Sequence, residues 1–163
     1  MRYFWPIVIL VGAAGLQGNL PNAISIWGAK PDLVLVILVS YSLAADPAFG
    51  AMLGFIAGLL QGSLVGVSLG SFIVTRTITG FLAGLVTTRL FSENPLVPAL
   101  SAIWLTVVCE VLFLLGNPPP NVSIATRKLA GECIGNALFT LFVYYAKRHM
   151  DTRRKIKLAN ARI

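Results

Sequence analysis

The sequence predicts an all-α fold: a polytopic membrane helix bundle of six transmembrane helices with both termini in the cytoplasm. Three observations predict it. First, 56% of the 163 residues are hydrophobic and only 12% are charged, with a mean hydropathy of +0.81. A soluble domain carries about 25% charged residues, and six acidic side chains cannot help cover a water-facing surface of this size. Second, apolar stretches long enough to cross a hydrocarbon core, roughly 20 helical residues each, account for nearly the whole chain. Third, the basic residues are unevenly distributed between the two sides that six crossings define. A single bundle over residues 1–146 with a basic tail over 147–163 is expected, and no separate soluble domain.

The opening "MRYFWPIVILVGAAGL" has the charge and apolar core of a signal peptide, but with several spans behind it a retained first span is expected. That span is short, from about 5 to 17. The turn-rich "GNLPNAISIWGAKPD" leads to a second span over 33–45. Pro31 suits a helix start, and Asp32 suits the positive end of the helix dipole. After "ADPAFG", residues 50–90 are almost continuously apolar. One helix of that length would measure about 60 Å, twice the hydrocarbon thickness, so the chain must reverse. "QGSLVGVSLG" is the only turn available, giving a third span over 50–64 and a fourth over 69–90. "SENP" and "GNPPPN" mark the next two loops, leaving a fifth span over 97–115 and a sixth over 126–146.

Six spans put Arg2, Arg89 and seven tail residues on one side, against Lys30, Arg127 and Lys128 on the other, with Arg76 inside a span. Nine against three places both ends in the cytoplasm. A five-span alternative separates Arg2 from the tail and gains nothing. The net charge of +7 does not imply nucleic acid, because the excess sits in "KRHMDTRRKIKLANARI" directly after a span. There it reads as a topology signal or a contact with anionic lipid.

Glycines recur at every fourth position from Gly50 through Gly54, Gly58, Gly62, Gly66 and Gly70. In lipid, helix association rests on close packing, and small residues four apart form a groove for another backbone. A four-residue step drifts by about 40° per repeat on a 3.6-residue helix, so Gly50, Gly54 and Gly58 share one face and the later glycines serve the hairpin. Two readings of the groove stay open: packing within the bundle, or docking of another protein's transmembrane helix.

Arg76, Glu110 and Glu132 are the ionisable residues clearly inside spans, each about 9 to 10 Å from the outer end of its span. Intramembrane charges are costly and seek partners, so an Arg76-centred cluster joining spans four, five and six is expected. It reads as a structural clamp, a ligand pocket or a site reached by a partner. No catalytic constellation appears: His149 has no orienting group beyond Asp151, and the glycine series lacks the lysine and hydroxyl of a phosphate-binding loop. Cys109 and Cys133 show no metal-ligand spacing and read as small buried hydrophobes. No cofactor is implied.

The stretch "KPDLVLVILVSYSLAADPAFGAMLGFIAGLLQGSLVGVSLGSF" resembles the rod-shape-determining protein MreD family. The resemblance rests on Pro31, Asp32 and Leu33 opening the second span, Tyr41 near its end and Pro47 in the loop. It continues through Gly50, Gly54, Phe55, Gly58, Leu59, Leu60, Gly66, Leu69 and Gly70. The family commonly has an aspartate where this chain has Gln61. The resemblance implies a non-enzymatic component of the bacterial inner membrane that binds MreC. It would work with the actin-like MreB and the glycosyltransferase and transpeptidase that elongate the cell wall. It also implies a fold similar to the substrate-binding subunits of energy-coupling-factor vitamin transporters. Such a subunit is the competing reading. Against it, "VGAAGLQG" offers only Ala14 and Gly18 in place of an Ala-x-x-x-Ala pair, and Trp5, Trp27 and Trp104 are scattered. A channel or proton-linked carrier would show inverted repeats, and none is evident.

Overall fold

The computed structural model describes residues 4–90 and 96–160, excluding the side chains of 87–90, 147, 148 and 150–160. Arg2, the "SENP" loop, and the side chains of Arg89 and of the basic tail residues therefore lie outside what is described. Six α-helices carry the described chain: α1 (Phe4–Gln17), α2 (Leu33–Ser42), α3 (Pro47–Val65), α4 (Leu69–Leu90), α5 (Leu96–Gly116) and α6 (Val122–Asn160), with a short 3-10 turn at Asn22–Ile24.

The helix ends follow local chemistry. Asp46 caps α3 by accepting from the Phe49 amide at 2.9 Å, with Pro47 at the first helical position, where its missing N–H costs nothing. Gly66 ends α3 in the left-handed region at φ 74°, a conformation open to glycine without a Cβ penalty. Asn121 caps α6 by accepting from the amides of Ser123 and Ile124. The sixth helix therefore starts at Val122, four residues before the expected 126, and it continues through the tail to Asn160.

Helices α3 to α6 are each long and apolar enough to cross a membrane. The first two are shorter than a span. Fourteen residues in α1 and ten in α2 reach about 21 and 15 Å. The second helix stops at Ser42 rather than 45 because the amides of Ala44 and Ala45 close tight turns onto Tyr41 and Ser42, just ahead of the Asp46 cap.

The reason α2 can be short lies in its surroundings. Val34, Leu35, Val36, Leu38 and Val39 are all at most 2% exposed, and α2 packs against every other helix. A helix apolar on all sides belongs in an interior, and here that interior is protein rather than lipid. Polar backbone at membrane depth is tolerated when it is enclosed by protein. The segment leading into α2 lies on α6, where Gly131 meets the Ile26 carbonyl and Gly135 meets Pro31. A tight turn at Trp27–Gly28, with both residues at positive φ, joins Ile26 and Ala29 by two backbone hydrogen bonds.

The glycine series forms a seam between α3 and α4. A Cβ on Gly50 would strike the Gly80 carbonyl, one on Gly54 the Arg76 carbonyl, and one on Gly58 the backbone of Phe72 and Ile73. From the α4 side, Gly84 stands against Pro47 in the same way. Gly62 faces Leu69, whereas Gly66 and Gly70 have no neighbour within 4 Å of a built Cβ. The face shared by Gly50, Gly54 and Gly58 is thus covered by this chain's own α4. Large apolar side chains such as Phe55, Val74, Phe81, Leu100, Leu138 and Phe142 point outward, a surface that water would not tolerate and lipid does.

Gly54→Leu or Gly58→Leu is expected to force α3 and α4 apart, at a cost at or above the roughly 1–3 kcal/mol typical of overpacking. Gly70→Leu should change stability by no more than about 0.5 kcal/mol. Thermal unfolding midpoints and monodisperse yield in mild detergent compare the three.

Candidate functional site

Asp32 is the N-cap of α2, and its two carboxylate oxygens do different work. Oδ1 accepts from the Leu35 amide at 3.0 Å, satisfying one of the donors a helix start leaves open. Oδ2 accepts from Arg76 Nη2 and, at 3.0 Å, from Gln61 Nε2. The backbone N–H of Asp32 donates to Asn136 Oδ1 at 2.7 Å.

Arg76 is 3% exposed, and all three of its nitrogens donate. Nη2 pairs with Asp32, Nε donates to Gln61 Oε1 at 2.9 Å and Nη1 to Cys109 Sγ at 2.9 Å. The Gln61 amide thus bridges the two charges, its oxygen toward the guanidinium and its nitrogen toward the carboxylate. Only one amide orientation serves both.

The pair is held from every helix. Gln17 at the end of α1 accepts from the Leu33 amide at 2.7 Å and donates to the Pro31 carbonyl at 3.2 Å. Asn136 on α6 donates to Thr106 on α5 at 3.1 Å, and Thr106 donates in turn to the Ala102 carbonyl. Removing two charges from water costs several kcal/mol per ion, which good geometry and added hydrogen bonds offset. This pair has both.

Beside it lies a cavity of about 200 Å3 lined by Gln17, Lys30, Asp32, Gln61, Phe72, Thr75, Arg76, Cys109, Glu110, Phe113 and Glu132. Glu110 and Glu132 also line a second cavity of about 280 Å3, with Lys128 and the Pro119–Pro120 loop. The two carboxyls are within electrostatic reach of each other and of Arg76. No group of three or more His, Cys, Asp or Glu among the described residues is placed to hold a metal.

Arg76, Glu110 and Glu132 line one cavity, but the direct partner of Arg76 is Asp32, which in the sequence suits a helix start and, with Pro31, helix packing or partner docking. With α6 starting at Val122, Glu132 lies about 15 Å along that helix, further from its start than the sequence suggests. Pro31 packs on Gly135 beside the pair. The glycines of the seam approach the site only through Gly54, which meets the Arg76 backbone, and Gly58 and Gly62 one and two turns on. Cys109 reads in the sequence only as a small buried hydrophobe, yet it accepts from Arg76, and Asn136 escaped notice. A buried asparagine four residues past a glutamate in an apolar span was a usable signal, since polar side chains there hydrogen-bond between helices. A thiol gave none.

Removing one partner, by Arg76→Leu or Asp32→Asn, is expected to cost about 3–5 kcal/mol. The Asp32→Asn/Arg76→Leu double variant should lose less than the sum of the singles. Glu110→Gln/Glu132→Gln should keep folded yield near that of the parent, because neither carboxyl carries the direct ion pair. Unfolding midpoints in detergent decide both points.

A family model described as rod shape-determining protein MreD matches residues 1–150 of the chain. No curated protein matches, and no solved structure does.

Proposed function

Because the chain belongs to the rod shape-determining protein MreD family, whose role is in rod shape determination, we propose that it is a non-enzymatic scaffold of the cell-elongation complex in the bacterial inner membrane. In this reading all six helices lie in the membrane and both termini face the cytoplasm. The chain binds the transmembrane region of MreC and, through it, helps to position MreB and the elongation glycosyltransferase and transpeptidase. The family match over nearly the whole bundle is the observation that carries the proposal.

The physical character of the chain supports it. Arg76 and Asp32 neutralise each other inside a network that ties down every helix, which favours a rigid frame. With Gly50, Gly54 and Gly58 already packed on α4, MreC is to be received on the outward apolar faces instead, where Trp104, Leu100 and Val111 of α5 are exposed. Membrane helices associate there by close packing rather than by hydrophobic burial.

Co-expressed MreC is expected to purify with this chain in mild detergent. Recovery should fall at least severalfold for an α5-face variant that still folds, such as Leu100→Trp/Val111→Trp. Failure of MreC to co-purify with the parent chain refutes the scaffold reading, and a tightly bound vitamin in the purified protein favours the transport-subunit alternative.

A further inference from the structure

Glu110 on α5 and Glu132 on α6 are hydrogen-bonded to each other through their carboxyl groups. An ionised carboxylate only accepts, so the contact exists because one proton lies between the two. The charges around the pair show why that proton is kept. Arg76 and Asp32 cancel each other in their ion pair. Lys30, in the segment before α2, is turned away, its Nζ donating to the Leu20 carbonyl. Lys128 stands one turn before Glu132 and lines the second cavity with both glutamates, where it offsets one carboxylate. The shared proton offsets the other, and the cluster is neutral at a depth where net charge is costly. The remaining titratable neighbours are the thiols of Cys109 on α5, which accepts from Arg76, and of Cys133 on α6. From α1 and α3 the first cavity receives only the neutral amides of Gln17 and Gln61.

Removing the proton upsets that balance. Two carboxylates at hydrogen-bonding distance then share one ammonium, and like charges this close repel strongly away from water. Arg76 cannot absorb the excess, because all three of its nitrogens already donate elsewhere. Relief lies in the second cavity, about 280 Å3 and bordered by Pro119, Pro120 and Asn121 of the connection between the two helices, which has room for water. One turn further from that connection, Asn136 donates to Thr106 and ties α6 to α5. Any separation is therefore confined to the loop end.

We propose that Glu110 and Glu132 form a proton-held latch between α5 and α6. With the proton bound, the latch is closed. When the O–H bond breaks and the proton passes to water in the second cavity, the carboxylates separate, water hydrates them, and the loop ends of the two helices part. The latch goes beyond the scaffold reading and rests on it only for sidedness: with both termini in the cytoplasm, the acidity sensed is that outside.

The full chain in detergent is compared with its Glu110→Gln/Glu132→Gln variant, whose amides can hydrogen-bond to each other with nothing to titrate. The stabilisation is present at the acid end and lost as pH rises. From about pH 6 to about pH 9 the parent's unfolding midpoint is expected to fall by about 4 °C, and the variant's by less than half as much. Over the same range the parent should lose the infrared carbonyl band of a protonated carboxyl, which the variant lacks throughout. Nitroxides on the exposed Leu115→Cys and Ile124→Cys should move apart as the band disappears. Equal pH dependence in parent and variant overturns the proposal, as does a missing band at the acid end or a label distance that stays fixed. Should the variant fail to fold, the band and the label distance in the parent decide. None of these readouts depends on sidedness, so a latch that answers only to cytoplasmic pH in oriented vesicles refutes the topology and leaves the latch standing.

Discussion

The ion pair between Arg76 and Asp32 is the constraint on which the arrangement of this bundle depends. A guanidinium inside a span cannot be left alone, and the nearest charge able to satisfy it is at the start of a different helix. Bringing the two together fixes where α2 begins relative to α4. Gln61 on α3, Cys109 on α5 and Asn136 on α6 then complete the hydrogen bonding, and Gln17 on α1 closes the end. Every helix contributes a polar group to one small volume, so a shift of any of them leaves a buried donor or acceptor without a partner, which costs more than the bond itself contributes.

The α3–α4 seam makes that geometry possible. Arg76 reaches Gln61 because the two helices approach so closely that a Cβ on Gly54 would strike the Arg76 backbone. Side chains at Gly50, Gly54 or Gly58 would push α4 outward and carry the guanidinium away from its partners. Close backbone packing and the polar network are thus two aspects of one contact: the first supplies proximity, the second supplies register.

A bundle held this firmly in its interior leaves its exterior for association. Much of the outward surface is apolar, which suits lipid and other membrane helices alike, and the family to which the chain belongs acts in determining rod shape. The polar cavity beside the ion pair is a separate feature. Its two glutamates are not the partners in the Arg76–Asp32 ion pair, and they line a second cavity as well.

Composition alone determined that this chain lives in a membrane, because 12% charged residues cannot dress a soluble surface. Periodic apolar runs determined the helices, and the spacing of Gly50, Gly54 and Gly58 determined that one face must meet another backbone. Arg76, Glu110 and Glu132 stood out because charge inside an apolar run has no local explanation. Which backbone the glycines meet, and which carboxylate the arginine meets, only the tertiary structure decided. Asp32 looks in sequence like a helix cap, and it is one; its second oxygen is free to serve a residue 44 positions away, and nothing local encodes that. The same holds for α2, whose apolar run reads as a lipid-facing span until the other five helices are seen to enclose it. Local sequence fixes what a segment can form, whereas its choice among partners is a property of the whole packed bundle.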